Sequence, residues 1–155
     1  MKCVFCNPTY LKGLVAGTEN WKAYLDYDQN LLGSCIVVSN THVEDLSNLN
    51  EEDWKDLRSM IRLLEGAVKV EFGATLFNWI CAPNHSFLKK PYSPHIRWYF
   101  KPRYEHQKHF EGHDFSDKNF GHSYHVRALQ ESNIPLDIRE SIRKKLHSRL
   151  SQSIL

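Results

Sequence analysis

Alternating polar side chains mark residues 95–101 as a segment that could do chemistry. In an extended strand successive side chains point to opposite faces, so every second residue shares one face. The polar face then carries His95, Arg97, Tyr99 and Lys101. Alternate residues lie roughly 6.5–7 Å apart along a strand, a spacing that suits successive groups of one polyphosphate. An amphipathic strand with a solvated polar face is the alternative, which the alternation alone favours.

A second motif, Cys3-Val4-Phe5-Cys6, lies near the start of the sequence. Two thiolates at this spacing can bind one tetrahedral ion, but a zinc site needs two further ligands and no second Cys-x-x-Cys pair occurs. A free pair of thiols is the alternative interpretation. A thioredoxin-like redox role is not favoured, because neither a helix start nor a βαβ pattern follows Cys6.

Length and composition limit what surrounds these motifs. The 155 residues are the size of one domain, and with 41% hydrophobic residues they can form one packed core. The formal net charge of +2 is too small to predict nucleic acid or an anionic membrane as a partner. Charged residues interrupt every apolar stretch and no signal peptide is recognisable, so we expect a cytoplasmic protein with reduced thiols.

Local patterns predict the elements that position the motifs. Asn50 is a good helix N-cap, an apolar stripe follows at steps of three and four, and Gly73 is placed to end the helix. Apolar runs bounded by turn residues predict strands over residues 21–25, 33–39, 75–81 and 95–101, the last ending at Pro102. Residues 104–133 are expected to have little regular structure. A basic amphipathic helix is predicted from Pro135, with its apolar stripe packed on this domain or on a second copy.

One segment resembles the signature strand of the histidine-triad superfamily, His-φ-His-φ-His followed by two mostly apolar residues and often Pro-Arg: Pro94-His95-Ile96-Arg97-Trp98-Tyr99-Phe100-Lys101-Pro102-Arg103-Tyr104. The turn from Asp26 to Gly33 is similar to the first hairpin of the family, and the helix after Leu49 is similar to its long helix. The resemblance covers about residues 3–104. It implies an α+β fold with a mainly antiparallel sheet, one long helix and a C-terminal helix. Residues 1–104 would form the core, and residues 105–155 a His-rich extension and the basic helix of the same domain.

The resemblance also implies ligands and site residues. Many family members with an N-terminal Cys-x-x-Cys complete a structural zinc site with two histidines, and the matching set here is Cys3, Cys6, His42 and His95. Family members bind nucleotides, and the matching or chemically suited positions are Asp26, Asn78, Asn84, Arg97 and Tyr99. A nucleotide or another phosphate-containing small molecule is the expected partner, and a homodimer that extends the sheet is implied.

The sequence departs from the family where catalysis is concentrated. The middle histidine, which attacks the α-phosphate in family members, is Arg97 here, and the third is Tyr99. A guanidinium has no available lone pair near neutral pH, so Arg97 cannot make that attack. The leading hypothesis is therefore a zinc-stabilised nucleotide-binding protein with weak or no nucleotidyl hydrolase activity. One alternative is an active hydrolase or transferase of dinucleoside polyphosphates or nucleoside phosphoramidates with another nucleophile. The other is a partner-binding module with a vestigial pocket.

Overall fold

A computed structural model of the chain describes residues 3–6, 12–88, 90–123 and 134–152. Its centre is a five-stranded antiparallel sheet in the strand order β1-β2-β3-β5-β4. The strands are β1 Leu14–Gly17, β2 Trp21–Leu25, β3 Cys35–Ser39, β4 Leu76–Cys81 and β5 Arg97–Arg103. Two helices, α1 Glu51–Phe72 and α2 Leu136–Gln152, accompany the sheet. The predicted α+β class is confirmed.

Helix α1 begins and ends where its sequence predicts. The side chain of Asn50 accepts from the Asp53 backbone N–H at 2.9 Å, and the Asp53 carboxylate accepts from the Asn50 N–H at 3.0 Å. This reciprocal pair is a capping box. Gly73 ends the helix in the left-handed conformation with φ of 66°, which glycine adopts without a steric penalty.

Helix α2 packs on its own domain, against β1 and α1. Its apolar stripe is buried in the core through Ile142, Leu146 and Leu150. The Arg139 guanidinium donates to the backbone carbonyls of Leu25, Asp26 and Tyr27 at the end of β2. The basic helix therefore caps the carbonyl-rich end of a strand instead of leaving all of its charges in water.

The prediction for the signature strand was wrong at both ends, because β5 begins at Arg97 and continues through Pro102 to Arg103. Ahead of the strand, the Ile96 N–H donates to the carbonyl of Val43. At the far end, β5 pairs only with β4, since its pairing with β3 stops at Phe100. Proline, which lacks an N–H, is tolerated on such a locally unpaired edge.

The expectation of little regular structure after residue 104 was also partly wrong. Residues Lys108–Phe110 and His113–Phe115 form a short antiparallel hairpin, strands β6 and β7. Its turn residues Glu111 and Gly112 both have positive φ, 48° and 77°, as hairpins with two-residue turns require. Residues 116–123 form turns and irregular structure, as expected, and residues 124–133 lie outside the described residues. Neither described helix combines the length and apolarity that crossing a membrane requires.

Candidate functional site

Three separate pieces of the chain meet at a cluster of cysteine and histidine side chains. Cys3 and Cys6 lie in an N-terminal turn, His42 follows β3, and His95 precedes β5. One ligand atom from each of the four residues lies within 4.8 Å of the other three. The structure thus brings together all four residues that the resemblance implied as metal ligands.

Three sulfur–nitrogen separations within this cluster match those of a tetrahedral metal site. The Sγ of Cys3 lies 3.4 Å from Nδ1 of His95, and the Sγ of Cys6 lies 3.3 Å from Nδ1 of His42 and 3.5 Å from Nδ1 of His95. With Zn–S bonds of about 2.3 Å and Zn–N bonds of about 2.0–2.1 Å, a tetrahedron has S···N edges of about 3.5 Å. The donor set and its spacing therefore fit zinc.

The surroundings of the cluster favour ligand forms of these side chains. The Nε2 of His95 lies 3.0 Å from the Ser39 carbonyl, and the Nε2 of His42 lies 3.5 Å from a Glu44 carboxylate oxygen. Such partners orient the ring and leave Nδ1 for a metal. Burial lowers the pKa of His95, which keeps the imidazole neutral, as ligation requires. Burial and the neighbouring Cys3 raise the pKa of Cys6, a cost that a bound cation would relieve.

Next along β5, Arg97 is a buried cation with neutral partners. Only 1% of the surface of this residue is exposed. Nε donates to the Tyr99 hydroxyl, and Nη1 donates to the Ser86 hydroxyl and the His95 carbonyl, all at 3.2 Å. The ring of Phe5 lies against the guanidinium, with its centroid 4.6 Å from Cζ. The polar face of the strand is thus buried, and the solvated alternative was wrong.

A 3-10 turn, Pro83–Phe87, covers this arginine. Besides Ser86, it supplies His85, whose Nδ1 lies 3.5 Å from the Tyr99 hydroxyl. Neither residue was singled out as a binding residue from the sequence. The only signal was the length of the aperiodic loop, which is uncommon in compact domains unless the loop is functional. Asn84, predicted to bind phosphate, is exposed in the same turn.

Asp26, one of the predicted nucleotide-binding residues, has a partner within the protein. Its carboxylate lies 2.5 Å from the Lys101 ammonium, and both side chains are about 5% exposed or less. Lys101, which belongs to the polar face of the predicted strand, is therefore engaged with a carboxylate.

The Asn78 side chain lies at the far end of β5 from the metal cluster. Its Oδ1 accepts from Arg103 Nη1 at 2.9 Å. Arg103 also forms a buried ion pair with Asp117, 2.6 Å from Nε. Asn78 thus belongs to a set of contacts that holds the extension against the sheet. Arg103 was visible as part of the Pro-Arg motif, but nothing local pointed to Asp117.

Comparison with solved structures shows which fold this is. A hypothetical histidine triad nucleotide-binding protein from Sulfolobus tokodaii superposes with a TM-score of 0.67 at 16% identity, covering 97% of this chain and 93% of that one. A zinc-bound histidine triad family protein from Mycobacterium smegmatis gives a TM-score of 0.60 at 20% identity, with 97% and 94% covered. The chain has the histidine-triad fold.

A third structure, that of Plasmodium falciparum diadenosine triphosphate hydrolase in complex with cyclomarin A, has a TM-score of 0.56 at 11% identity, covering 90% of this chain and 75% of that one. No protein-family model matches the sequence, and no curated protein is detectably similar to it. The likeness therefore rests on three-dimensional structure. Arg97 and Tyr99, which the resemblance matches to the middle and third histidines, both lie on strand β5.

Proposed function

We propose that this chain is a zinc-stabilised, histidine-triad-like nucleotide-binding protein with weak or no nucleotidyl hydrolase activity. The observation that carries the proposal is Arg97, a buried guanidinium whose hydrogen bonds go to neutral oxygen atoms. A buried charge is costly unless it is paired. In the described part of the chain, two other buried cations, Lys101 and Arg103, form ion pairs with Asp26 and Asp117. No carboxylate in that part of the chain pairs with Arg97. A phosphate group would supply the missing negative charge.

The guanidinium suits phosphate because its planar fork of donors can bind two oxygens at once. The nearby Tyr99 hydroxyl already accepts from Nε and can donate its own proton onward to a phosphate oxygen. Because Arg97 is covered by the turn that carries Ser86, a phosphate reaches Nη1 by displacing the Ser86 hydroxyl. Binding therefore involves movement of the turn Pro83–Phe87.

Chemistry beyond binding lacks its usual nucleophile at this position. Arg97 has no lone pair to attack phosphorus. The metal, held by Cys3, Cys6, His42 and His95, would stabilise the fold, because four protein ligands close a tetrahedral site. The names of the structural neighbours support nucleotides as the ligand class, since one is described as a nucleotide-binding protein and another as a diadenosine triphosphate hydrolase.

The proposal includes a homodimer. In the described sheet β4 pairs only with β5 and forms one edge, and each of its six residues is partly exposed. The opposite edge strand, β1, packs against α2. An unpaired edge can pair with the same edge of a second copy, which would extend the sheet across a two-fold axis.

Calorimetric titration with AMP, ADP and diadenosine triphosphate tests the proposed function. The wild type should show saturable binding, and Arg97→Met should weaken it by about 10-fold or more, since hydrogen bonds to charged groups contribute about 1.5–3 kcal/mol. Arg58→Met, which removes an exposed arginine of α1, is the matched control and should bind like the wild type. Absence of saturable binding up to millimolar ligand would refute the nucleotide assignment.

A second candidate function rests on the contact between His85 and Tyr99. The His85 Nδ1 lies 3.5 Å from the Tyr99 hydroxyl, and a base close to a hydroxyl is the arrangement that activates a nucleophile. This candidate is a hydrolase or transferase of dinucleoside polyphosphates in which the Tyr99 oxygen attacks the α-phosphate and His85 takes the hydroxyl proton. With diadenosine triphosphate the bond to the β-phosphate breaks and ADP leaves, and water or another acceptor then releases the nucleotide from Tyr99. It predicts turnover of diadenosine triphosphate that Tyr99→Phe abolishes, with a covalent nucleotide on Tyr99 visible by intact-protein mass spectrometry during turnover. Turnover that survives Tyr99→Phe would exclude it.

A further inference from the structure

One side chain contacts both the metal cluster and Arg97. Phe5 lies between the two cysteines of the N-terminal turn, within a stretch that is bounded by metal ligands. Its ring packs edge-on against His95, with centroids 5.9 Å apart. The same ring lies 4.6 Å from Cζ of Arg97. A single aromatic ring therefore joins a ligand of the metal cluster to the predicted phosphate-binding cation.

The position of this ring depends on the cysteines that flank it. Cys6 N–H donates to the Cys3 carbonyl at 3.2 Å, which closes the turn on itself but does not tie it to the sheet. The polar contacts that the described turn makes with the rest of the chain run through the thiols to His42 and His95. A metal that binds all four ligands would convert these weak sulfur contacts into bonds. The ring of Phe5 would then be fixed against Arg97.

Fixing the ring matters for anion binding because an arginine side chain has many rotamers. A guanidinium whose fork is already oriented loses less conformational freedom when it binds phosphate. Phe5 contributes one wall of this orientation through a cation–π contact, and the His95 carbonyl contributes a hydrogen bond to Nη1. The hydrogen bond comes from His95, a member of the metal cluster, and the cation–π contact comes from Phe5, which lies between the two cysteines of the cluster.

We propose that Phe5 is a positioning residue that couples metal occupancy of the Cys3, Cys6, His42 and His95 cluster to phosphate binding at Arg97. The inference rests on the proposed function, since it requires that Arg97 binds phosphate. The coupling is reciprocal by thermodynamic necessity: if the metal raises the affinity for a phosphate ligand, the ligand raises the affinity for the metal by the same factor. The described structure thus contains a route by which metal supply sets ligand affinity without any contact between metal and ligand.

The test uses the full chain loaded with zinc, with AMP as the probe. Phe5→Leu should keep its zinc by elemental analysis and bind AMP about 3- to 10-fold more weakly, because the released Arg97 side chain must then be immobilised on binding. Phe5→Tyr keeps the aromatic face and should restore wild-type affinity. Phe110→Leu, whose ring packs against Phe72 elsewhere, is the matched control and should leave AMP binding unchanged. In proton–nitrogen NMR spectra, the Nε–H resonance of Arg97 should shift in Phe5→Leu but not in Phe110→Leu.

A second readout follows the retention of zinc instead of the binding of AMP. AMP should reduce the transfer of zinc from the wild type to a competing chelator, and in Phe5→Leu this protection should fall by the same factor as AMP affinity. Equal AMP affinity in zinc-loaded wild type and Phe5→Leu, together with equal protection of zinc, would overturn the coupling while leaving the proposed function intact. Failure of the zinc-loaded wild type to bind AMP would instead overturn the proposed function, and the coupling with it.

Discussion

Removal of the metal should destabilise the folded protein. The four ligands come from an N-terminal turn, the segment after β3 and the segment before β5, so one ion would join three parts of the chain. Cys3 and His95 are buried in the fold, whereas Cys6 and His42 are exposed, which gives a chelator access from one side. A ligand that binds only the folded state stabilises it by mass action. Chelation should therefore lower the stability of the whole domain.

The magnitude follows from the linkage relation. Free zinc at 100 times its dissociation constant adds about 2.7 kcal/mol to the free energy of unfolding. For a domain of this length, each kcal/mol shifts Tm by about 2–4 °C, so chelation should lower Tm by roughly 5–11 °C. Scanning calorimetry with elemental analysis measures both quantities. Cys6→Ser should have the lowered Tm and no response to chelator, whereas Cys81→Ser, outside the cluster on β4, should respond like the wild type. An unchanged Tm after complete loss of bound zinc would refute the reasoning.

Three further predictions concern individual side chains. Ser86→Ala removes the hydroxyl that competes with phosphate for Arg97 and should tighten AMP binding about 5-fold in calorimetric titration, since one hydrogen bond contributes about 1 kcal/mol; weaker binding would show that Ser86 contacts the ligand. Burial raises the pKa of the Cys35 thiol far above its usual range, so this thiol should stay protonated and react slowly with maleimide in the native protein. Cys81 is partly exposed and should be labelled faster, and faster labelling of Cys35 than of Cys81 would contradict this prediction. Arg139→Met should lower the free energy of unfolding in urea by about 2 kcal/mol, because several strand-end carbonyls lose a charged donor; no change would show that water replaces it.

Local signals in the sequence predicted the regular elements well. The cap at Asn50 and the left-handed Gly73 fix both ends of α1, because each acts within a few residues of itself. The β2–β3 hairpin likewise pairs along its whole length, from Trp21 opposite Ser39 to Leu25 opposite Cys35. Such features require no knowledge of distant contacts.

Sequence patterns missed the partners that distant segments supply. The turn that carries Ser86 buries Arg97, and Asp26 pairs with the buried Lys101. Neither pairing has a periodic signature, because the partners are separated by loops. The metal cluster is the opposite case: its histidines lie 36 to 92 residues from its cysteines, and only the resemblance to a family placed them together. Spacing alone reached Cys3 and Cys6.

The central claim is that this fold holds a nucleotide at a position that cannot attack it. Phosphorus NMR of diadenosine triphosphate mixed with a stoichiometric amount of the zinc-loaded protein measures binding and cleavage in one sample. The account predicts resonances that shift and broaden with the protein, less so with Arg97→Met, while the phosphorus signals of the intact compound persist. Rapid and complete protein-dependent conversion of the compound to AMP and ADP, or a covalent nucleotide on Tyr99, would contradict it.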